Sequence, residues 1–164
     1  MKRITTPISD EEISSLKLGD QISISGVMFT GRDAALPQLV KLIKEGKLDF
    51  DIEGSAIMHT AVSDAGIAPT TSNKEEIEST IPFLSENGVK IHIGKGMLHD
   101  ETVEALKENN SIFVITPPVA ALLTSKVLEK ECVAFESEGM EAMYRLNGRE
   151  RTMAIGSKAC LTNE

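Results

Sequence analysis

Residues 21–46 read QISISGVMFTGRDAALPQLVKLIKEG, and this stretch decides the fold. Ile22, Ile24, Gly26 and Met28 fall on one face of an extended chain, with Gln21, Ser23 and Ser25 on the other; Val27 and Phe29 then make both faces apolar. A strand that becomes apolar on both faces is entering a core. It stops at Gly31-Arg32-Asp33, after which Leu36, Leu39, Val40 and Ile43 recur at helical spacing. Pro37 is tolerated only in the first turn of that helix, and Gly46 is a natural stop. The unit is therefore strand, polar turn, helix.

Working outward, residues 55–62 and 89–93 read as strands, and Lys74–Asn87 between them as a helix that Pro82 must break or kink and Gly88 ends. Asp100 can cap a further helix to about Asn109, Ile112–Ile115 is a strand apolar on both faces, and Val119–Lys130 reads as a fourth helix. Cys132–Phe135 is again extended, and Met143–Leu146 and Met153–Gly156 can add small strands. Alternating strands and helices predict parallel pairing in a single layered α/β domain over residues 1–164, with 157–164 as a frayed polar tail.

The chain has 164 residues, 41% hydrophobic and 4% aromatic, enough for one sizeable, aliphatic core. A formal charge of −8 repels phosphate backbones and anionic lipid heads, so neither nucleic acid nor membrane is an expected partner. The same field repels a small dicarboxylate, so an anion site has to be a local cluster of basic groups and backbone N–H donors. Met1–Asp10 lacks the apolar run of a signal peptide, and nowhere do roughly 18 apolar residues follow one another, which points to the cytoplasm. Cys132 and Cys160 lack CxxC spacing; two thiols suit neither a disulfide in that compartment nor a four-cysteine metal site, and no metal ligands are assigned here.

Three places can carry chemistry. Thr70-Thr71-Ser72-Asn73-Lys74 crowds hydroxyls against a helix start, where unpaired N–H groups favour an anion; a capping box of Ser72 and Glu75 explains those two residues but leaves Thr70 and Thr71 unused. Gly94-Lys95-Gly96 follows a strand, placing Lys95 where ligands of open α/β sheets bind, although a solvated surface turn is the commoner outcome and the spacing matches no nucleotide motif. Arg32 also follows a strand and can fork onto a carboxylate, whereas on spacing alone a structural pair with Asp33 is the simpler reading. His59 and His92 lie inside strands, where a lone histidine is more often a satisfied core or surface residue than a ligand, and His99 flanks the Asp100 cap.

Thr30-Gly31-Arg32-Asp33-Ala34-Ala35, Pro69-Thr70-Thr71-Ser72 and Ile93-Gly94-Lys95-Gly96 occur here in one order and spacing. With Ile4-Thr5-Thr6-Pro7-Ile8, Leu16–Asp20 and the run from Ala134-Phe135 to Gly139-Met140-Glu141-Ala142, nearly the whole chain resembles the beta subunit, or carboxyl-terminal domain, of class I iron–sulfur fumarate hydratases and L-tartrate dehydratases. The resemblance implies a swivelling three-layer β/β/α domain and a hydro-lyase subunit inactive without an alpha subunit, in an alpha2-beta2 assembly. It also implies a 4Fe-4S cluster held by that alpha subunit and not by this chain. The reaction implied is reversible hydration of fumarate to L-malate, or dehydration of tartrate or another hydroxy-diacid.

Carried over position by position, Arg32, Thr70, Thr71, Lys74 and Lys95 bind the dicarboxylate, with Thr70 as proton acceptor and Lys95 beside it as the second catalytic residue. Positive potential from Lys95 and the helix start would favour the Thr70 alkoxide. Four features depart from the family pattern: Lys74 stands where an arginine is usual, Ala68 replaces a glycine, Pro117-Pro118 replace a glycine pair, and the loop before Thr70 is short. They motivate an alternative from another class, a non-catalytic small-anion-binding or regulatory domain of the same fold.

Overall fold

The computed structural model describes residues 2–16, 21–60, 62–63, 66–67, 75–94, 98–115 and 127–154. Strand β2 (Gln21–Thr30) is its axis. One edge of β2 carries β1 (Lys2–Thr5) beside its first half and β3 (Ala56–Met58) beside its second, both parallel. From β3 the parallel sheet continues through β6 (Ile91–Gly94) to β7 (Ile112–Ile115). The other edge of β2 pairs antiparallel with β9 (Met143–Ala154), with a register shift between Ile24 and Gly26. β9 also pairs with β8 (Val127–Ala134) and, at Ala154, with Ile115 of β7. The ladder β2–β3–β6–β7–β9 thus returns to β2, and a two-stranded hairpin of β4 (Val62–Ser63) and β5 (Gly66–Ile67) lies outside it.

The parallel half of the sheet was expected; the antiparallel half was not. The two short strands expected in 143–156 form one 12-residue strand that spans β2. Of the helix expected over Val119–Lys130, residues 119–126 lie outside the described residues, and 127–130 are strand. Pairing with β9 overrides the helical preference of Leu128, Glu129 and Lys130. The strand expected over 55–62 is shorter, because the chain leaves the sheet at His59. Strand β1 and the short helix α1 (Asp10–Ser14) carry no long periodic signal and were not anticipated. The 157–164 tail is outside the described residues.

The strand–turn–helix unit is as read: α2 (Leu36–Lys44) follows β2 with Pro37 in its first turn. The segment ending at Asn87 is broken into α3 (Glu75–Glu78) and α4 (Ile81–Glu86), with Pro82 at the second position of α4, where its missing N–H has no helical acceptor to lose. In α5 (Asp100–Glu108) the cap position belongs to His99, whose backbone is extended, and not to Asp100.

The single expected core is divided by the sheet. Ile22, Ile24, Met28, Ala56 and Met58 face one side with Ile13, Ile81, Val103 and Leu106; Phe29 and Ile57 face the other with Leu36, Leu39, Ile77 and Leu84. The alternation of Ala56, Ile57 and Met58 between the two clusters is the pleat of β3. Each fully buried Ile or Leu contributes roughly 1.5–3 kcal/mol of transfer free energy. Gly26 lets β1 approach: a Cβ there would stand 2.8 Å from Thr6 Oγ1 and 2.9 Å from the Thr6 carbonyl oxygen. Among the described residues no helix is long and apolar enough to cross a membrane.

Candidate functional site

Because β2, β3, β6 and β7 are parallel and in register at Thr30–Met58, Met58–Ile93 and Gly94–Ile115, their carboxyl ends share one edge of the sheet. The four strands end there at Thr30, Met58, Gly94 and Ile115. This is the edge at which ligands of parallel sheets bind. The Arg32 turn leaves the sheet at this edge, and in the sequence Lys95 directly follows Gly94, the last residue of β6.

Arg32 is the candidate residue whose surroundings are described. Gly31 N–H donates to the Met58 carbonyl at 3.0 Å, tying the turn to β3, and the Arg32 carbonyl accepts from Ala35 and Leu36 to start α2. A side chain at Gly31 would press Leu36 Cδ2 at 3.1 Å, so the turn packs directly on the helix. The half-buried Arg32 side chain donates through Nε to Glu141 Oε1 at 3.0 Å, and Asp33 Oδ1 lies farther off at 3.9 Å. The adjacent Asp33 expected as partner is thus secondary to a carboxylate from the 3-10 turn Glu136–Glu141. Both described interactions of Arg32 run through Nε. The two terminal guanidinium nitrogens form the edge that can take a carboxylate bidentately.

Glu141 is brought there by β9. Thr30 pairs with Tyr144, and the Tyr144 N–H donates to Thr30 Oγ1 at 3.2 Å, fixing the 3-10 turn over the end of β2. Sequence reasoning did not assign Glu141 to the site, although it lies in the Gly139–Ala142 run that carried part of the resemblance.

His59 and His92 are fully buried, with rings 6.4 Å apart; His92 lies in β6 as expected, whereas His59 directly follows β3. His92 Nε2 shares a 2.8 Å hydrogen bond with Ser85 Oγ. Burial, helped by the neighbouring His59, pushes His92 down to about 3, so the ring stays neutral and is no general acid at neutral pH. Thr70, Thr71, Lys74 and Lys95 lie outside the described residues. A cavity of about 250 Å3 bounded by Thr6, Val27, Phe29, Phe50, Ser55 and Arg145 opens beside the middle of β2, and Arg32 does not line it.

No group of three or more metal-ligating side chains is found among the described residues. Cys132 is half-buried and donates weakly to the Ala134 carbonyl at 3.7 Å. With Cys160 the only other thiol in the chain, the ligand set of a four-cysteine cluster does not fit here.

Comparison with known proteins places the chain among hydro-lyase relatives. A beta subunit of L(+)-tartrate dehydratase from Shigella boydii is 32% identical over 162 residues, covering 92% of this chain and 79% of that protein. The Escherichia coli protein of the same name is 31% identical over 140 residues, covering 79% and 68%. A Geobacillus stearothermophilus protein with the provisional name fumarate hydratase class I is 30% identical over 166 residues, which are 93% of this chain and 31% of that longer protein. The family model described as the fumarase C-terminus matches residues 2–156. A match that runs through all the described strands, with relatives at 30–32% identity, shows that the chain belongs to the fumarase C-terminus family.

Proposed function

We propose that this chain is the beta-type subunit of a hydro-lyase, holding a dicarboxylate at the carboxyl edge of its sheet for a reaction completed by an alpha subunit. The observation that carries this reading is the Arg32 side chain, held through Nε by Glu141 at the end of β2, with its terminal nitrogens in no hydrogen bond or ion pair among the described residues. In this reading Lys95 and Lys74 add positive charge against the second carboxylate. Thr70 takes the proton from the reacting carbon, and Thr71 hydrogen-bonds beside it. A threonine needs its alkoxide stabilised to do this, which Lys95 and nearby amide groups supply.

A 4Fe-4S cluster, in this proposal, belongs to the alpha subunit, and its open iron supplies Lewis acidity. The acid that serves the leaving hydroxyl also comes from that subunit. The assembly is alpha2-beta2, in the cytoplasm, and the domain takes the swivelling three-layer arrangement of its family. Hydration of fumarate to L-malate is the first reading. Dehydration of L-tartrate is the second, favoured by relatives of that name aligned over most of their length.

The test is anaerobic co-expression with a cysteine-bearing partner encoded beside it, followed by assay of fumarate, L-tartrate and related diacids through the absorbance of the unsaturated acid. Turnover that requires both chains supports the proposal and names the substrate. A stable complex with an intact cluster that is inert toward every diacid would leave the non-catalytic anion-binding reading.

A further inference from the structure

The cavity of about 250 Å3 beside the middle of β2 is lined by residues that the candidate anion site does not use. Phe29 of β2, itself buried, and Phe50 form part of its wall, with ring centroids 5.2 Å apart at an interplanar angle of 33°. Ser55 lines it too. The main chain of that residue is engaged on both sides: its N–H donates to the Ile52 carbonyl, and its own carbonyl accepts from Lys90 and Ile91. Its hydroxyl is not engaged. Ser55 is 5% exposed, and its Oγ has no hydrogen-bond partner among the described residues. A buried hydroxyl without a partner carries a desolvation cost that a ligand in the cavity would remove.

The charges around the cavity select the sign of that ligand. Asp51 and Glu53 both line it. Asp51 Oδ1 accepts from the Glu53 main-chain N–H at 2.9 Å, while the Glu53 side chain makes no hydrogen bond or ion pair among the described residues. The guanidinium in the lining, Arg145, is already paired: it stands opposite Phe29 in the β2–β9 ladder and meets Glu131 of β8 at 2.8 Å. Two carboxylates therefore accompany one neutralised cation, in a chain of net charge −8. Such a site repels a small anion and attracts an ammonium, which the faces of the two phenyl rings also favour.

We propose that this cavity is a second binding site, for a small organic ammonium. The cationic nitrogen sits among Asp51, Glu53 and the Ser55 hydroxyl, which accepts a hydrogen bond from it, and a short apolar or aryl body lies against Phe29 and Phe50. At about 250 Å3 the cavity falls just under the usual range of ligand pockets, so the ligand is a small one. The site is separate from the carboxyl edge of the sheet. Val27, which also lines it, stands three residues before the end of β2, roughly 10 Å back along the strand. The inference does not depend on which diacid that edge takes, and the two sites accept opposite charges.

The test takes benzylammonium as its probe, with benzyl alcohol as the uncharged analogue and benzoate as the anionic one. Saturation-transfer NMR on the co-expressed protein should show benzylammonium binding with a Kd of about 1 mM, as suits so few heavy atoms. Benzyl alcohol should bind at least about 10-fold more weakly, and benzoate not at all. Glu53→Gln and Phe50→Leu should each weaken benzylammonium by roughly 10-fold. Ser55→Ala should weaken it about 3-fold while the melting temperature holds or rises, because the variant removes a hydroxyl that has no partner in the free protein. Arg32→Lys should bind the probe as wild type does; loss of binding there would place the probe at the carboxyl edge and overturn the proposal. Absence of saturable binding would overturn it too, as would equal binding of the three probes, which leaves an unselective apolar crevice, or binding unchanged in both Glu53→Gln and Ser55→Ala, which puts the probe elsewhere.

Discussion

Arg32 and Glu141 stand 109 residues apart in the chain and meet through a 3.0 Å contact between Nε and Oε1. Removing Glu141 leaves the guanidinium charged but free to swing, so Glu141→Ala should raise KM for the dicarboxylate by roughly 10-fold with a smaller effect on kcat. Arg32→Lys should raise KM further, because an ammonium cannot present a fork. Steady-state assay of the two-chain enzyme decides; unchanged KM in both variants would make the pair structural. Since both side chains are partly exposed, stability should change by under about 1 kcal/mol in either variant.

Thr70→Ala should abolish turnover while the melting temperature stays near wild type. A threonine near a helix start contributes about 1 kcal/mol at most by capping. Turnover within a few-fold of wild type would remove Thr70 from the mechanism.

His92 predicts a particular acid limb of stability. Its folded pKa, about 3, lies below its ordinary value of 6.5, so below pH 6.5 the unfolded chain takes up a proton that the folded chain refuses. Stability contributed by the neutral ring is therefore full above 6.5 and is lost as pH falls toward 3, with a slope near 1.4 kcal/mol per pH unit. His92→Gln should lack this part of the slope, narrowing its stability deficit against wild type by about 2–3 kcal/mol between pH 6.5 and 4.5. Urea unfolding at the two pH values measures it; parallel curves would refute the assignment.

Gly26→Ala should destabilise the chain by about 1–3 kcal/mol, since its φ of 95° and the Thr6 atoms under 3 Å from any Cβ penalise a side chain twice. Thermal unfolding checks this, and an unchanged melting temperature would mean that β1 moves away at little cost.

Local signals made the parallel half of the fold legible. The two-face apolar pattern of Val27–Phe29, the helical spacing of Leu36–Ile43 and the Pro82 break all express forces acting within a few residues, and each reappears in the structure. The long strand β9 was legible only in pieces, because its pairing with β2 depends on contacts more than a hundred residues away. For the same reason Arg32 could be placed at a strand end from sequence, while its partner could not. Asp33 is the near carboxylate in the chain; Glu141 is the near carboxylate in space.

The pairing of β9 with β2 also sets an order of events during synthesis. At roughly 5–20 residues per second, about 5–20 s separate the emergence of Arg32 from that of Glu141. Through that interval β2 has one edge without its eventual partner, and the candidate guanidinium has no counter-charge from the 3-10 turn. A nascent chain could pack α2 on β2 early, yet it could not present an ordered anion site until β9 had closed the sheet. Ligand or partner capture before that point would meet a half-built edge, so competence to bind arrives late and all at once.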